Sequence, residues 1–323
     1  MTYRRSAISL LVFAGFLALL AGVTLWRSTQ RQAEAAAMWP PFGQFLTVDG
    51  KRVHVLVQGF GPDLILIHGA SGNLRDFTPG LVEALSGQFR VIAFDRPGLG
   101  YSDDVPGSQL LAVQAAQLAA AARQLGVKDP IILGQSYGGA VALAWAVTKT
   151  DPAPRALVLI SSPALPWPGA LDPWYRLTAS GFGRAVVVPL AAAFTPDAFV
   201  TASMTAIFAP EPVPELYSQN IGVGLTLRRA SLAVNARQVN ALRGELVAQQ
   251  DHYPGLTLPV ELLHGDADTV VPLKIHAQPL SRIIPGAQLE VIAGGGHMPH
   301  QTRPGLIVAA VERARLRSAP QSP

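Results

Sequence analysis

Six short apolar segments recur along the chain, and helical patterns over 75–86, 109–125 and 138–149 separate the first four of them. The segments are LILIHG (64–69), RVIAFD (90–95), IILGQS (131–136), ALVLISS (156–162), VELLHGD (260–266) and LEVIAGG (289–295). Continuous apolar strands that alternate with helices are typical of a parallel sheet covered on both faces. We therefore predict an α/β fold with a mostly parallel sheet and helices on both of its faces.

A hairpin is predicted just before the first of these segments. The stretch FLTVDGKRVHVLVQG (45–59) alternates apolar and polar residues on both sides of Asp49–Gly50. An Asp-Gly pair between two such runs is a strong signal for a tight turn. We expect an antiparallel pair of strands at the start of the sheet.

The alternation of strands and helices is interrupted between Pro163 and Pro259. Proline-rich turns (PALPWPGALDPW, 163–174) and apolar helical pieces such as 187–194 and 223–243 fill this interval. So long and apolar an insertion is not typical of a loop. We predict a helical cap over 163–259, inserted into a core formed by 44–162 and 260–318.

The N-terminal segment AISLLVFAGFLALLAGVTLW (7–26) carries no charge. As a helix it would span ~30 Å, about the thickness of the hydrocarbon layer of a bilayer. We interpret 1–43 as a transmembrane anchor followed by a tether over 27–43. One alternative is a signal peptide cleaved after a small-residue motif, at 33–35 or 35–37, but the apolar run exceeds the roughly 7–15 residues typical of such peptides. The other is a buried soluble helix, which no amphipathic pattern supports.

The charges that flank the apolar segment are nearly balanced. Arg4 and Arg5 precede it, and Arg27 and Arg31 follow it. The amino terminus adds a positive charge on the first side, which favours a cytoplasmic N-terminus. We expect a single-pass, membrane-anchored protein whose globular part lies outside the cytoplasm, with secretion after cleavage as the alternative.

Composition narrows the classes of function. Hydrophobic residues make up 49% and charged residues 14% of the 323, which argues against disorder. The net charge is +4 and no basic stripe is interleaved with aromatics, so we expect no nucleic-acid partner. The chain has no cysteine and no cluster with metal-ligand spacing, so we expect neither a metal nor an organic cofactor. Nothing in the sequence indicates an oligomeric state.

The sequence GQSYGG (134–139) places Ser136 between a predicted strand and a predicted helix. Glycines two residues before and two after the serine allow a sharp turn without Cβ clashes. This G-x-S-x-G pattern in that setting is typical of a nucleophilic serine. The alternative is a turn that merely contains a serine.

A nucleophilic serine needs a base, and the chain has seven histidines. His297 follows three glycines after the last predicted strand, which favours an approach to the carboxyl edge of the sheet. His300 is the main rival, although its position is more typical of a helix start or a surface. The other histidines have ordinary interpretations: His54 and His264 in strands, His276 in a helix over 273–283, His252 in the cap, and His68 in a loop that it stabilises.

Two aspartates, Asp266 and Asp268, follow the strand VELLHG, and either could orient the base or stabilise a turn. The order Ser, Asp, His along the chain fits the order typical of such a nucleophile, acid and base arrangement. The small-residue loop 68–72 could direct a backbone N–H toward the site, and the N–H of Tyr137 would be a second donor for an oxyanion.

The motifs HGASGN, DRPGLGYSD (95–103), GQSYGG, GDADTVVP and GGGHMPHQTRP, in that order, closely resemble the α/β-hydrolase superfamily, specifically its cap-bearing serine branch. The resemblance covers about residues 44–316. It implies Ser136 as nucleophile, His297 as base and Asp268 as acid, with the backbone amides of Ala70 and Tyr137 as the oxyanion hole. It also implies a structural role for the 95–103 loop, with Asp95 and Arg96 paired near the site.

The serine at the turn narrows the chemistry that the resemblance implies. Dehalogenases and epoxide hydrolases of this superfamily carry an aspartate there, so both activities are disfavoured. We expect hydrolysis of a carboxylic ester or related acyl bond of a small apolar substrate; C–C bond hydrolysis and perhydrolase or haloperoxidase-like chemistry are alternatives. A non-catalytic, membrane-anchored binding protein is a further alternative, disfavoured because none of the catalytic parts is missing.

The predicted cap contains several large aromatic residues that could cover the serine. For most of them we expect the alternative role, which is to pack the interior of the cap itself. The residues are Trp167, Trp174, Phe182, Phe194 and Phe199.

Overall fold

The computed structural model describes residues 2–170 and 172–319, and its centre is an eight-stranded sheet. The strands are β1 Gln44–Val48, β2 Lys51–Gln58, β3 Asp63–Ile67, β4 Arg90–Phe94, β5 Ile131–Gln135, β6 Ala156–Ile160, β7 Val260–Gly265 and β8 Ala287–Ile292. Their order across the sheet is β1-β2-β4-β3-β5-β6-β7-β8. Strands β3 to β8 are mutually parallel, and β1 and β2 are antiparallel to their neighbours. The predicted α/β class is confirmed.

Helices follow most of the strands. They are α1 Thr2–Met38, α2 Glu83–Ser86, α3 Leu111–Gln124, α4 Tyr137–Val147, α5 Pro173–Ala179, α6 Val188–Phe194, α7 Asp197–Phe208, α8 Tyr217–Asn220, α9 Val223–Thr226, α10 Arg229–Gln249, α11 Ala277–Ile283, α12 Pro299–Thr302 and α13 Pro304–Arg317. Shorter 3-10 or π turns occupy Leu74–Phe77, Thr78–Val82, Gly183–Val187 and Gln250–Gly255.

The hairpin predicted around Asp49–Gly50 is confirmed. Val48 pairs with Lys51, so these two residues alone form the loop between β1 and β2. Both have positive φ, 49° and 72°. That backbone conformation matches the twist of the flanking strands, and aspartate and glycine adopt it readily.

The central strands bury both of their faces. Ile65 and Ile67 pack in one apolar cluster with residues of α3 and α4. Leu64 and Leu66 point the other way and pack with residues of the 74–85 segment and of α13. Two covered faces explain why these strands are continuous apolar runs instead of alternating ones.

The insertion between β6 and β7 is helical, as its composition predicts. Its described residues form α5 to α10 and the turns within and after them, without a strand. The helical stretch expected over 223–243 is divided into α9 and the 21-residue α10. Helix α10 packs against α4, α5 and α6, and thereby joins the insertion to the core.

The N-terminal helix α1 is 37 residues long and unbroken. Within the described residues it is the one helix long and apolar enough by itself to cross a membrane, and an 18-residue window of it has a mean hydropathy of 2.5. The segment 27–43, interpreted as a tether, is helical as far as Met38. Its side chains also contact the insertion: Arg27 Nε donates to the carbonyl of Ala193 (2.8 Å) and Trp39 Nε1 to that of Gln219 (2.6 Å).

Candidate active site

Ser136 occupies the turn between β5 and α4 in an unusual backbone conformation, with φ 49° and ψ −123°. Its amide donates to the carbonyl of Ile160 (2.8 Å), and its carbonyl accepts from Gly139 N (2.8 Å). A non-glycine residue with positive φ typically stores about 1–3 kcal/mol and persists where its surroundings hold it. The conformation places the serine side chain at the carboxyl edge of the sheet, in the wall of a cavity.

The glycines around Ser136 are required by space. A Cβ at Gly134 would lie 2.5 Å from the backbone N of Gly139, and one at Gly138 would collide with the carbonyl of Ile67. The turn therefore brings α4 so close to β5 and β3 that only the Cα hydrogens of glycine, and no Cβ, fit between them. This is the physical reason for the G-x-S-x-G pattern in this chain.

We predict that Gly138→Ala lowers the free energy of unfolding by about 3 kcal/mol, because the backbone of β3 or α4 must move to admit the methyl group. Gly244→Ala is the matched control: Gly244 is exposed within α10 and a Cβ there meets nothing. That variant should be more stable than the parent by about 0.5–1 kcal/mol. Denaturant unfolding of both variants tests the pair, and equal stability of Gly138→Ala and the parent contradicts the packing argument.

His297 joins Ser136 and Asp268, which lie 161 and 29 residues away along the chain. Its Nε2 lies 3.0 Å from Ser136 Oγ, and its Nδ1 lies 2.8 Å from Asp268 Oδ2. The His297 and Asp268 side chains are both buried. Since an aspartate oxygen accepts from Nδ1–H, Nε2 is left free to accept the serine proton. The structure thus brings together the three side chains that the sequence singles out.

Asp268 accepts hydrogen bonds on both of its oxygens. Oδ1 accepts from the amides of Val270 and Val271 (2.9 Å each), and Oδ2 lies 3.3 Å from His264 Nε2 in addition to His297. Burial acts to raise the pKa of Asp268, but the hydrogen bonds from His264 and His297 together lower it by more. The pKa of Asp268 therefore lies well below the ordinary aspartate value. The carboxylate is therefore ionised at neutral pH.

The second aspartate of the motif, Asp266, has a different partner. Its Oδ1 accepts from the amide of Gly294 (2.7 Å), in the turn that leads from β8 to His297. Asp266 thus stabilises the loop that carries the histidine, whereas Asp268 contacts the histidine itself. Of the two carboxylates, Asp268 is therefore the one placed to hold the orientation of the imidazole.

The loop after β3 passes directly beside Ser136. A Cβ at Gly69 would lie 3.2 Å from the Cβ of Ser136, and Ala70 lines the same cavity as Ser136 and Tyr137. The carbonyl of Gly69 accepts from Arg96 Nη2 (2.9 Å). Because a trans peptide points its C=O and N–H in opposite directions, the N–H of Ala70 points away from Arg96.

The expected pairing of Asp95 with Arg96 is wrong, because each side chain has its own partners. Asp95 accepts from His54 Nδ1 (2.6 Å) and from the amides of Leu74 and Tyr101 (2.7 Å each). Arg96 is buried and donates to backbone and amide oxygens instead of a carboxylate. Its acceptors are the carbonyls of His68 and Gly69 and the side chains of Gln114 and Gln238.

Arg96 and His68 stabilise the loop that carries Ala70. His68 Nε2 accepts from the amide of Arg96 (3.0 Å), and burial lowers the pKa of His68 to about 4. The imidazole is therefore neutral and acts as an acceptor, in agreement with the structural role expected for it. Burial also lowers the pKa of Arg96, to about 10, which leaves the guanidinium charged at neutral pH.

A cavity of about 420 Å³ opens onto Ser136, within the usual size range of small-molecule sites. Of the five large aromatics of the cap, Trp167 is part of the cavity lining. The other four are exposed, so the expectation that most of them pack the interior of the cap is wrong. The remaining lining is mostly apolar and comes from the insertion and from the loop after β7. Its residues include Pro163, Pro168, Tyr175, Val239, Leu242, Val270, Val271, Pro272, Ile275 and His276.

His276 is a cavity residue that the sequence did not identify. The helix predicted over 273–283 begins only at Ala277, so His276 precedes it and faces the cavity. Its Nδ1 accepts from the amides of Ala164 (3.3 Å) and Leu165 (3.4 Å), which leaves the proton on Nε2. Burial lowers its pKa to about 4, with a further contribution from His264, so it is a neutral donor. Its position eight residues after Asp268 was the only available signal.

His300 does not approach Ser136. It belongs to α12 and is buried, with its Nε2 3.0 Å from Asp76 Oδ2. Tyr217 of the insertion donates to the other oxygen of Asp76 (3.0 Å). The expectation of a helix-start residue holds, but the surface location is wrong: His300 joins the core to the insertion.

A sequence model described as the Alpha/beta hydrolase family matches residues 64–311, which is most of the chain. The chain belongs to this family. The resemblance found from the motifs is thereby confirmed, and the alpha/beta hydrolase fold explains the sheet order and the position of Ser136.

Relatives and solved structures agree with the family assignment. An uncharacterized protein of Mycobacterium tuberculosis is 28% identical over 286 residues, covering 85% of this chain and 81% of its own. The pimeloyl-[acyl-carrier protein] methyl ester esterase of Stenotrophomonas maltophilia is 30% identical over 269 residues, covering 80% and 95%. The crystal structure of an alpha/beta hydrolase fold protein from Burkholderia ambifaria superimposes with a TM-score of 0.70 at 25% identity, covering 83% and 96%. The protein is an esterase-like alpha/beta hydrolase.

Proposed function

We propose that the protein hydrolyses a carboxylic ester of a small apolar acid, with Ser136 as nucleophile, His297 as base and Asp268 as its orienting acid. The observation that carries the proposal is the position of His297, whose two ring nitrogens lie within hydrogen-bond distance of Ser136 Oγ and Asp268 Oδ2. That arrangement provides a path for the serine proton and a negative charge beside the imidazolium that forms.

In the first half of the reaction, His297 Nε2 takes the proton of Ser136 Oγ as the oxygen attacks the ester carbonyl carbon. The carbonyl oxygen becomes an oxyanion, which we assign to the backbone N–H groups of Ala70 and Tyr137. Tyr137 is the first residue of the 11-residue α4, so the positive end of the helix dipole faces the same position. His297 then protonates the leaving alkoxide, and the acyl group stays on Ser136.

In the second half, His297 removes a proton from a water molecule, which attacks the acyl carbon. The same two amides bind the second oxyanion, and Ser136 Oγ leaves with the proton from His297. Asp268 keeps its negative charge throughout, because its low pKa disfavours taking the proton from the imidazolium. The acid product is released, and the free serine is restored.

The cavity supports an apolar acyl group. Its walls are largely aliphatic and aromatic side chains, with the neutral His276 as a polar group among them. An ester is also the substrate named for the Stenotrophomonas maltophilia relative. We assign the cap role to 163–259, since its residues Pro163, Trp167 and Leu242 contribute to the cavity, and the core role to 44–162 and 260–318.

We further propose that α1 stays on the protein as a membrane anchor. The candidate cleavage positions, 33–35 and 35–37, lie inside the unbroken helix. Ala35 is buried, and a Cβ on Gly224 of α9 would lie 3.0 Å from its methyl group. Helical and packed backbone is a poor substrate for a peptidase, which supports the anchor over the signal peptide.

The cavity predicts a chain-length preference that one substitution should change. Leu242→Trp places a larger ring in the cavity, so we expect kcat/KM for p-nitrophenyl octanoate to fall about tenfold or more. Hydrolysis of p-nitrophenyl acetate should change little, because its acyl group needs only the space beside Ser136. Steady-state kinetics across a series from acetate to laurate measures both.

Val247→Trp is the matched control, because Val247 lies on the same helix and is exposed. It should leave the whole series unchanged. A uniform loss across all chain lengths in Leu242→Trp, with an unchanged near-UV spectrum, would contradict the assignment of this cavity to the acyl group. The absence of hydrolysis of every ester by the parent protein would reject the proposed function itself.

A further inference from the structure

The insertion exposes an unusual number of large apolar side chains. Phe182 and Phe199 are 65% and 66% exposed, although a folded protein usually covers such residues. Together these exposed residues define what we call the cap face: Trp174, Leu177, Phe182, Val186, Leu190, Phe194 and Phe199. They come from α5, from Phe182 and the run 183–194 that follows it and ends in α6, and from α7.

Part of the cap face has the geometry of a helix side left without a protein partner. Val186, Leu190 and Phe194 follow one another at intervals of four residues, so they lie on one side of the helical run. Val188 and Ala192 lie on another side and are buried, in a run that packs against α1 and α10. One side of the helical run is therefore already packed against the protein. The exposed residues form a second apolar side, which is not needed for that packing.

The cap face is continuous with the point at which α1 would leave the membrane. The charge-free run ends at Trp26, and the next residue, Arg27, lies over the ring of Phe194 at 5.4 Å. Thr24 is buried although it lies two residues, about 3 Å, inside the end of the run. A bilayer that holds residues 7–26 therefore reaches the level of the insertion.

The groups beside this junction suit a lipid interface. A groove of about 740 Å³ between α1 and the start of α7 is lined by Trp26, Arg27, Arg31 and Phe194, among others. Tryptophan and arginine are favoured at the boundary between lipid tails and head groups. Arg176 and Arg184 add exposed positive charges near the cap face, and Asp172, Asp197 and Glu34 are the acidic residues on the same elements.

The cap face also adjoins the cavity. Tyr175 of α5 lines the cavity, while its neighbours Trp174 and Leu177 are exposed on the outside of the same helix. The two segments Pro173–Ala179 and Gly183–Phe194 are together apolar enough to enter a membrane but meet at 90°. Each is too short to cross a bilayer, since 12 residues of helix measure about 18 Å. Their shape suits shallow insertion into one leaflet.

We propose that the cap face docks on the bilayer that holds α1, so that an apolar ester passes from the lipid phase directly into the cavity. The proposal rests on the anchor and the esterase activity proposed above. The lipid covers the apolar side chains that the fold leaves exposed, and the exposed Arg27, Arg176 and Arg184 contact phosphate groups.

The absence of cysteine from the chain allows a direct test on the full-length protein. Phe182→Cys, Leu190→Cys and Phe199→Cys are each labelled with a bimane fluorophore and reconstituted into vesicles of phosphatidylcholine and phosphatidylglycerol. We expect doxyl-labelled phosphatidylcholine to quench most of the emission at these three positions, and aqueous iodide to quench little of it. Phe60→Cys is the control: Phe60 is 76% exposed and precedes β3, at the sheet edge opposite Ser136. Its label should respond to iodide and not to the lipid quencher.

Three results would overturn the proposal. Iodide quenching at positions 182, 190 and 199 equal to that at position 60 would place the cap face in water. Labels shielded from both quenchers, together with cross-links between copies, would identify a second copy of the chain as the cover. Loss of α1 from the recovered protein would remove the anchor. This readout does not depend on hydrolysis, so an inactive protein would reject the esterase proposal and leave the docking surface intact.

Activity provides a second readout of docking. Leu190→Glu places a charge on the cap face, so we expect hydrolysis of 4-methylumbelliferyl octanoate held in vesicles to fall about tenfold. Hydrolysis of soluble p-nitrophenyl butyrate should be unchanged, because Leu190 does not line the cavity. Equal rates of parent and variant on the vesicle substrate would contradict entry from the lipid.

Discussion

Replacing Ser136 with alanine is expected to lower kcat/KM for p-nitrophenyl butyrate by about 10⁴-fold or more. The substitution removes the oxygen that lies 3.0 Å from His297 Nε2 and that forms the acyl-enzyme in the proposed mechanism. It should leave the fold intact, because alanine lacks only the hydroxyl and His297 keeps its hydrogen bond to Asp268. Steady-state kinetics and thermal unfolding of the same preparation measure both effects.

Ser86→Ala is the matched control for this experiment. Ser86 ends α2, at the edge of the sheet opposite Ser136, and hydrogen-bonds to the carbonyl of Glu83. Its loss should leave the rate unchanged. A Ser136→Ala variant that turns over at the parent rate would show that the hydroxyl takes no part in the reaction.

Asp268→Asn is the second substitution with a large expected effect, a fall in kcat of about 10³–10⁴-fold. The asparagine oxygen can still accept hydrogen bonds from the amides of Val270 and Val271, so the loop should keep its shape. Its NH₂ group, however, cannot accept from His297 Nδ1–H. The imidazole then prefers the tautomer with its proton on Nε2, which cannot take the proton of Ser136.

The same variant should show a pH-dependent loss of stability. Because the folded-state pKa of Asp268 is lowered, its carboxylate stabilises the protein above the ordinary aspartate pKa of about 4, and this contribution is lost as the pH falls below that value. The difference in free energy of unfolding between the parent and Asp268→Asn should therefore decrease below about pH 4. Asp266→Asn is the control, since Asp266 contacts Gly294 and not His297. A loss of kcat in Asp266→Asn as large as that in Asp268→Asn would contradict the distinct roles of the two carboxylates.

The sheet was predictable from the sequence because its signals are local. Strands buried on both faces read as continuous apolar runs, and the Asp49–Gly50 turn has its own two-residue signature. The position of Ser136 was likewise predictable, since the strand, the turn and the helix that form it are contiguous. His297 could be expected near Ser136 because parallel strands bring their carboxyl ends to one edge of the sheet.

Other features depend on contacts that no local pattern encodes. The partners of Arg96 come from the loop after β3, from α3 and from α10, so a likeness of motifs could not identify them. His276 faces the cavity because α11 begins later than its apolar pattern suggests. The aromatics of the insertion looked like core or cavity residues, whereas most are exposed, because hydrophobicity alone does not distinguish a protein interior from a membrane-facing surface.

The most direct test of the central claim is to identify the residue that a fluorophosphonate probe modifies. The probe reacts with a serine only when a base has activated it and an oxyanion site receives the phosphonyl oxygen. We predict one adduct per chain, located by peptide mass spectrometry on Ser136, and its loss in His297→Ala. An adduct on another serine, or none at all on a folded parent protein, would contradict the account.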